Sequence, residues 1–238
     1  MEKGQTKKLA ELIKSSSHTV ILTGAGMSTE SGVPDFRSKE GWWKEIDPRT
    51  VASVEALEDN YPLFREFYST RLKALQTVQP HEGHKIIAKW EKNGLVQCVA
   101  TQNVDGLHQK AGSIAVKELH GSIRKIRCNQ CGNEAAKEQF ITGESCNACR
   151  GKLRPSVVLF GELLPQIAWQ SAFQHIQKAD LVIVIGTSLE VYPVSELPAM
   201  TNGKTVLINK DPVWTAHHFF LTIEGNAKEV LHAVDELV

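Results

Sequence analysis

Four cysteines in the run CNQCGNEAAKEQFITGESCNAC, Cys128, Cys131, Cys146 and Cys149, stand as two Cys-x-x-Cys pairs separated by fourteen residues. Two such knuckles present four thiolates in a tetrahedron, the ligand set of a structural Zn²⁺ ion, and leave no open position for water or substrate. That closed shell suits a structural ion rather than a catalytic one. Without an ion, the segment would be a polar, glycine-bearing stretch with almost no core. The fifth cysteine, Cys98, lies inside the apolar run LVQCVAT and reads as a small buried hydrophobe.

A second chemical signal lies near the start of the chain, in TVILTGAGMSTESGVPDFR, Thr19 to Arg37. Val20, Ile21 and Leu22 read as a buried strand. Gly24-Ala25-Gly26 then marks a tight turn whose backbone can approach a ligand closely, as in the front half of a dinucleotide-binding fingerprint. The back half is missing. Thr29 stands where the third glycine belongs, and Gly32-Val33-Pro34 cuts the following helix short. A hydride-transferring enzyme would finish its second strand with an acid about twenty residues beyond the turn; this chain has EGWWKEIDPRT there, which is no strand. Taken alone, the turn is either a phosphate-binding loop or an ordinary strand-to-helix connection.

A sheet must position these groups. After a helix over about 4 to 15 and the first strand, strands are expected at Leu95 to Thr101, at AVKELH ending with His120, and at VVLF, DLVIVIGTSLEV, KTVLIN and HFFLTI. Helices are expected over 82 to 92 and 166 to 178, and throughout TVASVEALEDNYPLFREFYSTRLKALQ. Near-continuous apolar runs separated by helices predict an α/β fold, a parallel, doubly wound, Rossmann-like sheet covered on both faces. Ligands of such sheets bind beyond the carboxyl ends of the strands. Polar residues gather at those ends: Gly24 to Gly26, Gln102-Asn103-Val104-Asp105, His120, Gly186-Thr187-Ser188 and Asn209-Lys210-Asp211. The cysteine module falls between the third and fourth strands and so reads as an insertion. The expected division is a discontinuous dinucleotide-binding domain (1–38, 80–121 and 155–238), a helical module (39–79) and a zinc-binding module (122–154).

Composition bounds the partners. The 238 residues carry 27 basic and 27 acidic side chains, and a pI near 7.1 offers no global field to draw nucleic acid or anionic lipid. The amino-terminal MEKGQTKKLAELIKSS has no apolar signal region, and no eighteen apolar residues run together. Cysteines used for metal rather than disulfides fit a reducing compartment. A soluble, cytoplasmic monomer that binds neither membrane nor nucleic acid is expected.

GAGMSTESGVPDFR, TQNVDGLHQKAG, ELHGS, the paired Cys-x-x-Cys, LFGE, GTSLEV and INKDP occur in this order across nearly the whole chain. Together they closely resemble the sirtuin family of NAD-dependent protein lysine deacylases. The resemblance implies that NAD is consumed as a co-substrate, its nicotinamide pushed into a pocket and its glycosidic bond exposed. The turn then needs its phosphate-facing glycines but not the rest of a hydride-transfer site. Gly24, Ala25 and Gly26 would line the pyrophosphate. Asp35, Phe36 and Arg37 would lie on a loop over the cofactor, with Phe36 shielding the reactive sugar from water. Gln102, Asn103 and Asp105 would form the ribose and nicotinamide pocket, Asp105 accepting from the carboxamide. Gly186, Thr187, Ser188, Asn209, Lys210, Asp211 and Ala227 would hold the adenosine half.

By the same resemblance, His120 is the general base and Asn103 its catalytic companion. An unperturbed imidazole titrates near pH 6.5 and can accept a ribose hydroxyl proton at neutral pH. In the implied route the acyl-lysine carbonyl oxygen attacks the ribose C1′, nicotinamide leaves, and a hydroxyl activated by His120 attacks the imidate. Water then completes the path to free lysine and O-acyl-ADP-ribose. The other histidines receive no role, although His108 sits in NVDGLHQKAG and is expected to shape that loop.

An acyl-lysine peptide would enter as an added strand between Val158 to Glu162 and Ser188 to Pro193, with Val158 and Phe160 walling the lysine tunnel beside Gly161 and Glu162. Tyr68 and Arg71, three apart and so on one helix face, resemble the pair that holds the distal carboxylate of succinyl- or malonyl-lysine. Deacetylation is expected in either case. The rival enzyme, a mono-ADP-ribosyltransferase or NAD glycohydrolase, would share the same cofactor site but act without acyl-lysine. A nucleic-acid module on the knuckles is weaker, because SIRKIRCNQC interleaves no aromatics with its cations. A non-catalytic NAD-binding scaffold would leave His120 and Asn103 idle.

Overall fold

The computed structural model describes residues 3–34 and 47–238. Its strands, in chain order, are β1 (Thr19–Thr23), β2 (Cys98–Thr101), β3 (Val116–Glu118), β4 (Gly121–Cys128) and β5 (Glu134–Ala135). β6 (Leu153–Val157), β7 (Leu181–Ile185), β8 (Lys204–Asn209) and β9 (Leu221–Glu224) complete them. The α-helices are α1 (Lys3–Ser15), α2 (Pro48–Val51), α3 (Val54–Asp59), α4 (Tyr61–Ala74) and α5 (Glu82–Lys92). They continue with α6 (Leu107–Ala111), α7 (Lys137–Thr142), α8 (Gln166–Lys178) and α9 (Ala227–Asp235).

Six strands form one sheet in the order β3-β2-β1-β7-β8-β9, and every neighbouring pair in it is parallel. The TVILT of β1 and the LVIVI of β7 are buried at every position, as central strands sandwiched by helices must be. One face packs Leu9, Ile13, Ile86, Trp90 and Val230 from α1, α5 and α9 against the sheet; Ala172 and Ile176 of α8 cover the other. The chain builds outward from β1 to β2 and β3, then returns to the opposite side of β1 with β7. The boundary between β1 and β7 is therefore the point where strand order reverses, and the crevice above it is where such sheets take ligands.

The second sheet is small and antiparallel, β5-β4-β6. With α2, α3 and α4 it shares a separate core that includes Leu57, Phe64, Phe67, Tyr68, Ile126 and Leu153. The helical stretch after residue 50 is cut into pieces by its own caps. The Ser53 Oγ accepts from Ala56 N at 3.1 Å at the start of α3, and the Asn60 side chain accepts from Leu63 N at the start of α4.

VVLF, expected as a fourth strand of the parallel sheet, lies elsewhere. Its first residue ends β6, whose partner is β4, and Val158 to Phe160 continue in extended form to a bridge between Phe160 and Ser53. Val157 and Leu159 are buried while Phe160 stays 50% exposed. That alternation belongs to a segment with one face on a core rather than two. A run of four apolar residues does not distinguish the two cases. The last strand also starts later than HFFLTI suggests, because Trp214–His218 forms a 3₁₀ turn before β9.

Candidate active site at the strand ends

At the end of β1 the chain passes directly under the end of β7. Gly24 N donates to Ile185 O at 3.0 Å and Gly26 N to Gly186 O at 2.8 Å. A Cβ added to Gly24 would lie 2.6 Å from the Thr187 Cβ, and one on Gly26 would lie 2.8 Å from the Gly186 Cα. Gly186 has φ +63°, and a Cβ there would sit 2.3 Å from Met27 N. Two backbones thus cross where no side chain fits. In place of a full dinucleotide-binding helix, the chain makes two 3₁₀ turns, Ala25–Met27 and Thr29–Ser31, and stops at Gly32.

A buried polar chain grows from this crossing. The Asn103 Nδ2 donates to Gly24 O at 3.0 Å and to the Ser28 Oγ at 3.1 Å, and the Ser28 hydroxyl donates to the Asp105 Oδ2 at 2.7 Å. The other Asp105 oxygen accepts from Leu107 N, and the Arg124 Nε donates to Asp105 O at 2.6 Å. Burial pushes the Asp105 carboxyl above its ordinary value, opposed by the donors from Leu107 and Ser28 and by the charges of Arg124 and Arg71. Thr101 anchors the base of this chain, its hydroxyl accepting from Asn103 N and from the Thr23 Oγ1. Gln102 spans the sheet end, donating from Nε2 to the Thr187 Oγ1 at 3.0 Å. Ala25, Ser28, Arg71, Asn103 and Asp105 line one cleft.

His120 lies between β3 and β4, half-buried, and its carbonyl accepts from Val158 N at 2.9 Å. Burial lowers its pKa, opposed by a hydrogen bond to the Gln102 backbone. The imidazole is therefore neutral at neutral pH, as a base must be before it accepts a proton. Ser188 follows Thr187 at the β7 end. Farther along the sheet, the Asn209 side chain donates to Asp211 O at 2.8 Å, Lys210 and Asp211 are exposed, and Ala227 is buried at the first turn of α9. Asp35, Phe36 and Arg37 lie outside the described residues.

Arg71 reaches the cleft from α4, buried and 5.4 Å from the Phe67 ring centroid. Tyr68 stands behind it among Phe64 and Phe67, its phenol pushed up to about 12 by burial. Beyond Val158, Phe160 donates its N–H to Ala52 O and accepts from Val54 N, and Gly161 takes φ +95°. The Glu162 carboxylate is engaged with Arg154.

The Cys128, Cys131, Cys146 and Cys149 sulfurs lie within 4.8 Å of one another. Four thiols converging on one point match a tetrahedral Zn²⁺ shell, and backbone bonds such as Cys128 N to Asn133 O and Cys146 N to Gly151 O shape the two knuckles.

Ser28 was not singled out from sequence, although it hydrogen-bonds both Asn103 and Asp105. Its only local sign is a small hydroxyl closing the glycine turn. Also unassigned were His81 and His84, which pack with His108 in a row of buried rings, centroids 4.3 and 4.9 Å apart. His108 reaches the Thr23 Oγ1 at 3.0 Å, so this row lies directly behind the polar chain.

An open parallel sheet with a buried polar site at its switch point and a four-cysteine module defines the class of protein. A family model described as the Sir2 family matches residues 24–193. An NAD-dependent protein deacetylase of Oceanobacillus iheyensis is 49% identical over 208 residues, 86% of this chain and 88% of that protein. An NAD-dependent protein deacylase of Pyrobaculum aerophilum is 41% identical, covering 97% of this chain and 94% of its own. A solved Sir2 complex with a deacetylated p53 peptide and 3′-O-acetyl-ADP-ribose superposes with TM-score 0.93 at 35% identity over 98% of both chains. The chain belongs to the Sir2 family.

Proposed function

We propose that this chain is an NAD-dependent protein lysine deacylase that places the nicotinamide half of NAD in the cleft at the ends of β1 and β2. The Asn103–Ser28–Asp105 chain of hydrogen bonds on the wall of that cleft carries the reading. NAD supplies a glycosidic bond whose cleavage releases nicotinamide and exposes a ribose carbon to the acyl oxygen. Gly24, Ala25, Gly26 and Gly186 keep the crossing bare for the pyrophosphate. Asn103 and Asp105 orient the nicotinamide ribose and carboxamide, and Gln102 closes the pocket toward Thr187. Thr187, Ser188, Asn209, Lys210, Asp211 and Ala227 hold the adenosine half.

His120, neutral and half-buried, takes the ribose hydroxyl proton. Asp35, Phe36 and Arg37 are assigned to the covering loop by sequence resemblance. An acyl-lysine peptide is assigned to the segment Val158 to Glu162, which runs to the Phe160 bridge and then turns at Gly161. Arg71, with Tyr68 behind it, extends the substrate range from acetyl to carboxylate-bearing acyl groups, since a guanidinium makes charge-assisted bonds to a carboxylate. The four cysteines hold a structural Zn²⁺ that stabilises their module and takes no part in the reaction. In this scheme 1–38, 80–121 and 155–238 form the NAD-binding unit, 39–79 the helical unit and 122–154 the metal unit. Among the described residues no helix is long and apolar enough to cross a membrane.

Purified protein incubated with NAD and one peptide bearing acetyl-, succinyl- or unmodified lysine tests the proposal, with nicotinamide and peptide mass followed together. Acyl-dependent nicotinamide release with loss of the acyl mass is expected. Release without acyl-lysine, or a peptide that gains ADP-ribose mass, overturns the choice of acceptor while keeping the NAD site.

A further inference from the structure

Arg154 has no exposed surface at all, and a guanidinium without water must find every partner in protein. It does. Its NH1 donates to the Glu162 Oε1 at 2.5 Å and to the Asn129 Oδ1 at 3.4 Å; its NH2 donates to the Glu162 Oε2 at 2.9 Å and to Val157 O at 2.6 Å; its Nε donates to Pro155 O at 3.3 Å. Glu162 spends its second oxygen again, accepting from Leu159 N at 2.8 Å. Glu162 N in turn donates to Leu159 O at 3.0 Å, closing the tight turn that Gly161 permits.

The fork ties the cysteine module, through Asn129, to the end of β6 and the segment that follows it. Asn129 lies between the first two cysteines, and its own N–H donates to Lys152 O. Val157 ends β6. Leu159 to Glu162 is the segment along which the peptide is proposed to lie. We infer that Arg154 and Glu162 are a positioning pair that locks the peptide-binding segment to the cysteine module, and that Glu162 acts through the loop rather than on the peptide. Both carboxylate oxygens already face donors from the chain itself. The fork sets the turn that leaves Phe160 half-exposed above it, so loss of the pair misplaces that segment while the glycine crossing and the Asn103 chain stay in place.

The inference rests on the reading of residues 158–162 as the peptide segment, and its test is a ratio between variants of an active enzyme. If the unaltered protein shows no acyl-dependent nicotinamide release, the functional reading fails. The pair is tested only by what changes relative to that activity. Glu162→Gln and Arg154→Lys are compared with the unaltered protein for KM of acyl-peptide, KM of NAD, kcat and bound zinc. Both variants are expected to raise the peptide KM about tenfold or more, equally for neutral and basic peptides, with NAD KM and zinc content unchanged.

Arg154 has no exposed surface, so an equal defect in Arg154→Lys marks positioning. Three outcomes overturn the inference: an unchanged peptide KM in both variants, a Glu162→Gln defect confined to basic peptides with Arg154→Lys normal, or peptide and NAD KM rising together. If either single variant fails to fold, the double variant Arg154→Met with Glu162→Met decides, since apolar replacement of a buried ion pair is commonly tolerated. A raised peptide KM with normal NAD KM in that protein sustains the inference, and unaltered kinetics overturn it.

Discussion

Two ends of the same sheet, both assigned to NAD, are built differently. At the ends of β1 and β2, Asn103, Asp105 and Ser28 are buried and joined by hydrogen bonds whose partners lie 75 to 79 residues apart. At the end of β8, the Asn209 side chain bonds only two residues along, and Lys210 and Asp211 stand in water. The first end is held rigid by the core before any ligand arrives. The second is shaped by a local bond and open to solvent. Such a contrast is what a reaction requires of a single substrate: fixed geometry where bonds break, and simple attachment where they do not.

The largest effect should come from His120→Ala. Removing a general base costs roughly 10²- to 10⁴-fold in turnover, while NAD affinity measured by calorimetry stays close to that of the unaltered protein. A variant that keeps its rate removes His120 from the chemistry. Ser28→Ala comes next, because it strips one partner from both Asn103 and Asp105. Buried groups left unsatisfied cost about 1–3 kcal/mol, so kcat/KM should fall by about one to two decades, and a neutral result would mean the chain of bonds is not what orients NAD. Arg71→Met should depress succinyl-lysine turnover by about tenfold or more relative to acetyl-lysine, the loss of a hydrogen bond to a charged group; equal losses would make Arg71 a packing residue. Lys210→Ala should change the NAD KM least, within about fivefold, as exposed charges contribute less than about 1 kcal/mol. A larger loss would erase the contrast between the two ends.

The pH profile sharpens the same comparison. Because burial holds the His120 imidazole below its ordinary value, its base form persists to lower pH than that of an unperturbed imidazole. The acid limb of kcat/KM should therefore fall at a pH below about 6.5. A limb at or above that value would assign it to another group.

Much of this was legible in sequence, for physical reasons. Strands buried on both faces leave continuous apolar runs, so β1, β7 and β8 announced themselves, and α5 and α8 followed from their periodicity and flanks. The cysteine spacing carried its own geometry, because two Cys-x-x-Cys knuckles need only one convergence, and the sulfurs do converge. What stayed hidden depends on contacts across long separations. Ser28 looks ordinary until Asp105 is placed beside it. VVLF reads as a sheet strand because nothing in four apolar residues names β4 as the neighbour of the preceding strand. A wholly buried Arg154 runs against every expectation from composition, and only its partners explain it. His81 at the N-cap of α5, His84 one turn along and the distant His108 gave no sign of packing together.

The pairing of β1 also bears on how the protein is made. Val20 lies between Cys98 on one side and Val182 on the other. A nascent chain leaving the ribosome can cover one edge of this strand midway through synthesis, but the other edge stays open until most of the polypeptide has emerged. Until β7 arrives, an aliphatic strand with unpaired backbone is exposed, the kind of surface that invites association between chains. Pairing of the second edge of β1 waits on residues 181–185, so chaperone cover over that interval should raise the yield of folded protein.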